Sequence, residues 1–148
     1  MIKKLYLIGS LRNPAVPALG NDLRRLGFDV FDDWYAAGEK ADDAWQAYEQ
    51  DRGHTFTEAL DGYAAQHVFK FDHHHLAESD IGVLLMPAGK SGHIEAGFLM
   101  GQDKPVYVLL PEEPDRFDVM YAFFAGVFNE KKDLLSAVAE WKEHGRPR

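Results

Sequence analysis

The chain has 148 residues, 46% hydrophobic and 27% charged, a composition typical of a globular protein with one core. A formal net charge of −8 disfavours a nucleic acid polymer as partner, although a small phosphorylated ligand needs only one positive pocket. The absence of cysteine excludes disulfides, thiolate metal sites and cysteine nucleophiles, and no segment resembles a secretory signal or a membrane span. We therefore expect one cytoplasmic domain over residues 1–148, with no membrane partner.

Apolar patterning predicts an alternation of strands and helices. Strands are expected at 5–8, 28–31, 81–86, 105–110 and 126–128. Helices are expected up to Gly27 after the first strand, then at 67–77, 94–100 and 131–144. This order is typical of an α/β fold of Rossmann-like type, a doubly wound parallel sheet of about five strands.

Residues 33–66 interrupt the alternation with an acidic insert, for which we expect one helix near 42–50 and another near 55–65. The aromatic residues of this segment are Trp34, Tyr35, Trp45, Tyr48, Phe56 and Tyr63. They either pack the insert onto the sheet or serve the function, and the sequence leaves both open.

Ligands of doubly wound sheets bind beyond the carboxyl ends of the strands. That rule selects the loops 9–14, 32–34 and 87–95. In the first of them, Ser10 and Asn13 can donate hydrogen bonds, and Arg12 has a planar fork suited to phosphate. An ordinary surface turn explains the same residues.

The third loop leads to a carboxylate, Glu95. Gly89 and Gly92 let the backbone approach a ligand closely, and Gly97 is expected to let the helix lie close to the sheet or the ligand. Glu95 is expected in or near the first helical turn, where the helix dipole favours the ionised form that a nucleophile needs. A favourable first-turn glutamate without a catalytic role remains the alternative.

Asp72 is a second candidate carboxylate. It shares a predicted helix face with Phe69 and Leu76, so it is expected to point partly inward, unless it is simply a solvated helix residue. Cleavage at an anomeric carbon commonly uses two carboxylates around an oxocarbenium-like transition state. Glu95 and Asp72 together therefore favour glycosyl chemistry, and no step of it needs a cofactor.

Three other motifs resemble known functional sites but lack the residues or the geometry that those sites need. The run at 73–75 is all histidine, but consecutive helical residues point about 100° apart, so no metal site is expected. The stretch 89–91 lacks the earlier glycine of a phosphate-binding Walker loop, and His93 and Glu95 lack the cysteine pair of a zinc deaminase.

Three stretches, 6–12, 72–86 and 91–106, resemble the nucleoside 2-deoxyribosyltransferase family, including its 2′-deoxynucleoside 5′-monophosphate N-hydrolase branch. The most specific element is Gly92-x-x-Glu95-x-Gly97, which matches the family's G-x-x-E-x-G turn and helix. The resemblance implies a flavodoxin-like fold, Glu95 as nucleophile and Asp72 as its partner. It also implies a homodimer or higher homo-oligomer with the site near the interface.

The segment 9–12 resembles the phosphate-binding turn of the hydrolases, which favours the hydrolase branch of the family. At Gly89 the chain departs from both branches, since transferases have an acidic residue there and hydrolases a serine. We expect hydrolysis of the base–sugar bond of a (deoxy)nucleoside 5′-monophosphate. The alternatives are base exchange through a covalent deoxyribosyl–Glu95 intermediate and a non-catalytic nucleotide-binding or sensing module.

The candidate substrate-binding residues are Tyr6, Gly9, Ser10, Arg12, Asn13, Gly89, Ser91, Gly92 and Met120. Asp118, Met120 and Tyr121 are further candidates to reach the site of a neighbouring subunit.

Overall fold

The computed structural model describes residues 1–145. The strands are β1 (Lys4–Ile8), β2 (Asp29–Phe31), β3 (Ile81–Leu85), β4 (Val106–Leu109) and β5 (Gly126–Phe128). The α-helices are α1 (Val16–Arg25), α2 (Ala41–Asp51), α3 (Phe56–Leu60), α4 (Tyr63–Glu78), α5 (Lys90–Gly101) and α6 (Lys131–His144). Short 3₁₀ turns cover Asp33–Ala37 and Val119–Phe123.

The strands form one sheet in the order β2-β1-β3-β4-β5, and every neighbouring pair is parallel. Helices α1 and α6 pack on one face, and α4 and α5 pack on the other. This arrangement confirms the doubly wound α/β prediction, with the strand order of flavodoxin-like proteins. From β1 the chain adds β2 on one side and β3, β4 and β5 on the other, so the ligand crevice is expected at the carboxyl ends of β1 and β3.

Strand periodicity decides which face each residue of β1 serves. Leu5 and Leu7 pack in the core beneath α1 and α6, whereas Tyr6 and Ile8 pack in the core beneath α4 and α5. Tyr6 is only 1% exposed. Its ring is therefore held inside the layer that also carries α5.

A glycine beside Tyr6 brings α5 close to the sheet. Gly82 on β3 is the register partner of Tyr6, and a Cβ placed there would lie 2.6 Å from a Leu99 methyl carbon of α5. Any larger residue would push the helix outward. The small residue thus sets the spacing between β3 and α5.

The predicted helix at 55–65 is wrong, because the segment divides into two helices. Thr55 caps α3 and forms a capping box with Glu58, and α3 ends at Leu60. Gly62 then has an extended backbone and precedes α4, which begins at Tyr63, four residues earlier than predicted.

The aromatic residues of the insert differ in their burial. Trp34 and Tyr35 pack against the core, whereas Tyr48, Phe56 and Tyr63 are largely exposed. The packing interpretation therefore holds for the residues nearest β2 only. Within residues 1–145, none of the helices has both the length and the apolar character needed to cross a bilayer.

Candidate active site

The centre of the site is a hydrogen bond between β1 and α5. The Tyr6 hydroxyl donates to Glu95 Oε2 at 3.0 Å. The sequence placed Glu95 in or near the first turn of a helix starting at 94, but α5 begins at Lys90, so Glu95 lies in its second turn. The earlier start follows from the extended backbone of Gly89, which allows the helix to begin immediately after it.

The protonation of Glu95 is controlled by burial. Desolvation raises the pKa of Glu95 to about 7, the hydrogen bond from Tyr6 opposes this rise, and the charge of Asp72 adds to it. The helix dipole, which was expected to favour the ionised form, acts mainly within the first turn; Glu95 lies beyond that turn, and burial outweighs this effect.

Asp72 joins the same cluster from α4. Desolvation raises the pKa of Asp72, and its charge contributes to the raised pKa of Glu95. Burial raises the pKa of the Tyr6 hydroxyl as well, followed by the charges of Glu95 and Asp72. The structure thus brings together three of the residues that the sequence singled out.

The helix face that carries Asp72 runs from the core to the solvent. Leu76 is buried, Asp72 is half-buried, and Phe69 is 59% exposed. The prediction that Asp72 points partly inward therefore fits its position at the rim of the core. A carboxylate there can reach a ligand that enters from solvent.

The loop after β1 and the start of α5 enclose a cleft of about 220 Å³. Its lining residues are Ser10, Arg12, Asn13, Pro87, Ala88 and Gly89. Ser10 Oγ accepts a hydrogen bond from the Arg12 amide at 3.1 Å, and Asn13 Oδ1 accepts one from the Ala15 amide at 3.0 Å. The oxygen atoms shape the turn, so the hydroxyl and amide hydrogens keep their capacity to donate to a ligand.

The Arg12 side chain has a partner that the sequence did not indicate. Its Nη2 lies 3.3 Å from Oδ2 of Asp43 in the first turn of α2, and both side chains are 66% exposed. The insert therefore contacts the cleft through one ion pair.

The glycines of the site have packing roles. A Cβ at Gly9 would lie 3.3 Å from Val16 and 3.6 Å from Trp34, and one at Gly92 would lie 3.2 Å from Ile8. In contrast, a Cβ at Gly97 would meet nothing within 4 Å. The expectation that Gly97 brings the helix close to the sheet is wrong, since Gly92 occupies the face that contacts it.

Two predicted binding residues lie away from the Tyr6 hydrogen bond. Ser91 is exposed on α5, and Met120 is 57% exposed in the 3₁₀ turn before β5. Neither lines the small cleft formed by the loop after β1. Their place in the site stays a prediction.

A second cleft, of about 910 Å³, opens at the carboxyl ends of β3 and β4. Its residues include Met86, His93, Leu110, Phe117, Asp118 and Tyr121. Asp118 and Tyr121, which the sequence offered as candidates to reach a neighbouring subunit's site, belong to this lining, and that role stays a prediction. His93 Nδ1 lies 2.8 Å from the Gly89 carbonyl, which can only accept, so Nε2 accepts from the Tyr121 hydroxyl at 2.6 Å when the ring is neutral. Only the position of Tyr121 after β4, at the same sheet edge, could have suggested this pairing.

Trp34 is a further residue missing from the predicted site. Its indole Nε1 donates to the Leu7 carbonyl at 2.8 Å, which fixes the ring beside Gly9 at the end of β1. The sheet-end rule had selected the loop 32–34 without assigning this residue a role.

The histidines at 73–75 contact different neighbours. His73 stacks on Phe69, His75 stacks on Phe31, and His74 lies 3.3 Å from a Glu78 oxygen. Among residues 1–145, no three or more His, Asp or Glu side chains are grouped so that they could hold a metal ion.

The fold and the strand order define a flavodoxin-like α/β protein with a crevice between β1 and β3. No protein-family model matches the chain, and no curated protein matches it. Several solved structures share the fold, including the following two. The Clostridium botulinum CMP N-glycosidase BcmB has a TM-score of 0.56 at 15% identity, over 92% of this chain and 98% of that one. A conserved protein from Enterococcus faecalis V583 has a TM-score of 0.63 at 14% identity, over 95% of this chain and 99% of that one.

Proposed function

We propose that this chain is an N-glycosidase that hydrolyses the base–sugar bond of a (deoxy)nucleoside 5′-monophosphate, with Glu95 as the nucleophile. The observation that carries the proposal is the Tyr6–Glu95 hydrogen bond beside Asp72. It joins β1 and α5, whose adjoining loops line the crevice where such sheets bind ligands. The fold shared with a CMP N-glycosidase supports the same class of reaction.

The proposed reaction has two steps. A Glu95 carboxylate oxygen attacks the anomeric carbon, the C–N bond breaks, and its electron pair leaves with the base nitrogen, which takes up a proton. Water then attacks the same carbon and gives up a proton to the Asp72 carboxylate, the bond to Glu95 breaks, and the free sugar phosphate and the Glu95 carboxylate are released. The protein needs only an ionised nucleophile, a proton donor and a means of holding the substrate.

Burial raises the pKa of both carboxyl groups, and the charge of Asp72 adds to the raised pKa of Glu95. Near neutral pH, such a pair tends to share one proton. The Tyr6 hydroxyl donates to Glu95, and among the described residues no hydrogen bond is made to the Asp72 carboxyl. The hydrogen bond from Tyr6 favours the ionised Glu95 that attacks, which is the form present above its pKa of about 7, and Asp72 is the group proposed to pass a proton to the departing base.

The small cleft is suited to the 5′-phosphate. Gly89 lines this cleft and directly precedes α5, and Glu95 follows six residues later. Six residues of helix rise about 9 Å, a span that a sugar phosphate can bridge between the nucleophile and the cleft. Arg12 supplies the charge, and Ser10 and Asn13 supply hydrogen-bond donors.

The test is a mass-spectrometric screen for free base. Wild type and Glu95→Gln are incubated with a panel of ribo- and deoxyribonucleosides and their 5′-monophosphates. We expect base release from a monophosphate by wild type, reduced by at least about 10³-fold in the variant, as for other lost nucleophiles. Equal release by both proteins would overturn the assignment of Glu95.

A second incubation separates hydrolysis from transfer. A deoxynucleoside or its monophosphate is mixed with a different free base, and only a transferase yields the exchanged product. No base release from any substrate, combined with tight binding, would favour a non-catalytic nucleotide-binding module instead.

Self-association is part of the proposal. Ile94 directly precedes Glu95 on α5, and Phe69 lies three residues before Asp72 on α4; they are 72% and 59% exposed. Exposed apolar residues beside a site are typical of an interface, and a second subunit would shield the carboxylates from water. Sedimentation of wild type and Phe69→Glu tests this, since only the wild type should form dimers or larger assemblies.

A further inference from the structure

The insert after β2 places negative charge over the proposed phosphate cleft. Between residues 33 and 66 the chain has eight acidic and two basic side chains, a formal charge of −6 out of −8 for the whole chain. One of these acidic residues, Asp43, contacts Arg12 directly at 3.3 Å. The cation that would bind a phosphate therefore already has an anionic partner from the insert.

Asp43 and a substrate phosphate compete for the same group. Arg12 lines the cleft together with Ser10, Asn13 and Gly89, and its Nη2 is the atom engaged by Asp43. A guanidinium makes its strongest contact with an oxyanion through two parallel N–H donors. A phosphate that binds through the Nη2 donor used by Asp43 must displace the Asp43 carboxylate.

The pair can be displaced without disrupting the fold. Both side chains are 66% exposed, and exposed ion pairs contribute little to stability. The β1 loop is held by the backbone hydrogen bond from Asn13 to Ser10 and by the Ser10 and Asn13 side-chain contacts, none of which involves Asp43. Loss of the pair should therefore change ligand affinity and leave the cleft intact.

We propose that Asp43 is a specificity-determining residue that limits the preference of this site for 5′-phosphorylated over unphosphorylated sugars. The inference rests on the proposed function, because it takes the Arg12 cleft as the phosphate subsite. Asp43 lowers phosphate affinity by occupying Arg12, and it leaves the contacts to an unphosphorylated sugar unaffected.

The experiment is a calorimetric titration of the full chain with ribose 5-phosphate and 2-deoxyribose 5-phosphate, each compared with the unphosphorylated sugar. The proteins are wild type, Asp43→Asn and the matched control Asp42→Asn. Asp42 is the adjacent exposed residue of α2, and its replacement removes the same charge. Circular dichroism confirms that each variant is folded.

We expect Asp43→Asn to bind a sugar phosphate roughly two- to fivefold more tightly at low salt, the range for an exposed ion pair. Asp42→Asn should change it less, affinity for the plain sugars should stay the same, and the gain should shrink at high salt. The proposal would be overturned if both variants gained affinity for sugar phosphate equally, or if Asp43→Asn gained none. It would also be overturned if Asp43→Asn gained as much affinity for the plain sugars, or if neither phosphate bound to any of the proteins.

The binding experiment and the base-release experiment test separate claims, and either claim can fail without the other. If Asp43→Asn binds sugar phosphate more tightly but wild type releases no base from any substrate, the glycosidase proposal fails and the role of Asp43 stands. If base release depends on Glu95 but Asp43→Asn leaves affinity unchanged, the glycosidase proposal stands and the role of Asp43 fails.

Discussion

Replacing Glu95 with Gln should stabilise the folded chain, and the gain should depend on pH. Folding raises the pKa of Glu95 from 4.5 to about 7, mainly by desolvation. Between these values the unfolded chain has released the proton and the folded chain retains it, so wild-type stability falls as pH rises through this range. At about 1.4 kcal/mol per unit, the full effect is about 3 kcal/mol above pH 7.

The measurement is urea unfolding of both proteins at pH 5 and pH 8. The advantage of Glu95→Gln should grow by about 2.5 kcal/mol between these conditions, since the glutamine does not titrate and the other groups cancel in the difference. Glu143→Gln, which removes an exposed carboxylate from α6, is the control for loss of a surface charge. An advantage for Glu95→Gln that is equal at both pH values would refute the burial of an ionisable group at this position.

Three further outcomes follow from the same contacts. Tyr6→Phe removes the donor to Glu95, so the pKa of Glu95 should rise by about one further unit, measured by carboxyl carbon NMR or by the acid limb of the pH–rate profile. Asp72→Asn removes the charge that raises this pKa, so the same midpoint should fall; a midpoint that rises would contradict the arrangement. Gly82→Ala should destabilise the fold by about 1–3 kcal/mol through overpacking, whereas Gly97→Ala should stabilise it by up to about 1 kcal/mol because open space surrounds it. Thermal unfolding measures both changes in stability. Equal effects of the two substitutions would contradict the crowded contact of Gly82 with α5 and the open surroundings of Gly97.

The sheet was predictable because its signals are local. Short apolar runs bounded by Gly, Pro and Asp indicated the five strands, and the periodic residues at 131–144 predicted α6 with the bounds that the structure has. The starts of α4 and α5 were not predictable, because each depends on whether a glycine, Gly62 or Gly89, adopts an extended backbone.

The sequence indicated the three residues that meet at the centre of the candidate site, but not their electrostatics. Strand periodicity and the sheet-end rule bring Tyr6 and Glu95 to the same crevice. The pKa of Glu95 depends on how closely α5 packs on the sheet, which is a property of distant side chains. The pairing of Arg12 with Asp43 spans 31 positions and leaves no periodic trace, so only coordinates reveal it.

The insert projects from β2, which is an edge strand, while the proposed catalytic residues belong to β1 and to helices α4 and α5. An edge strand has a neighbour on one side only, so lengthening or recharging the segment after it disturbs few core contacts. Selection can therefore alter which ligands this protein accepts by editing residues 33–66, while Tyr6 and Glu95 keep their geometry. Under the proposed function, the residues that select the substrate and those that break the bond lie on parts of the chain that can evolve at different rates.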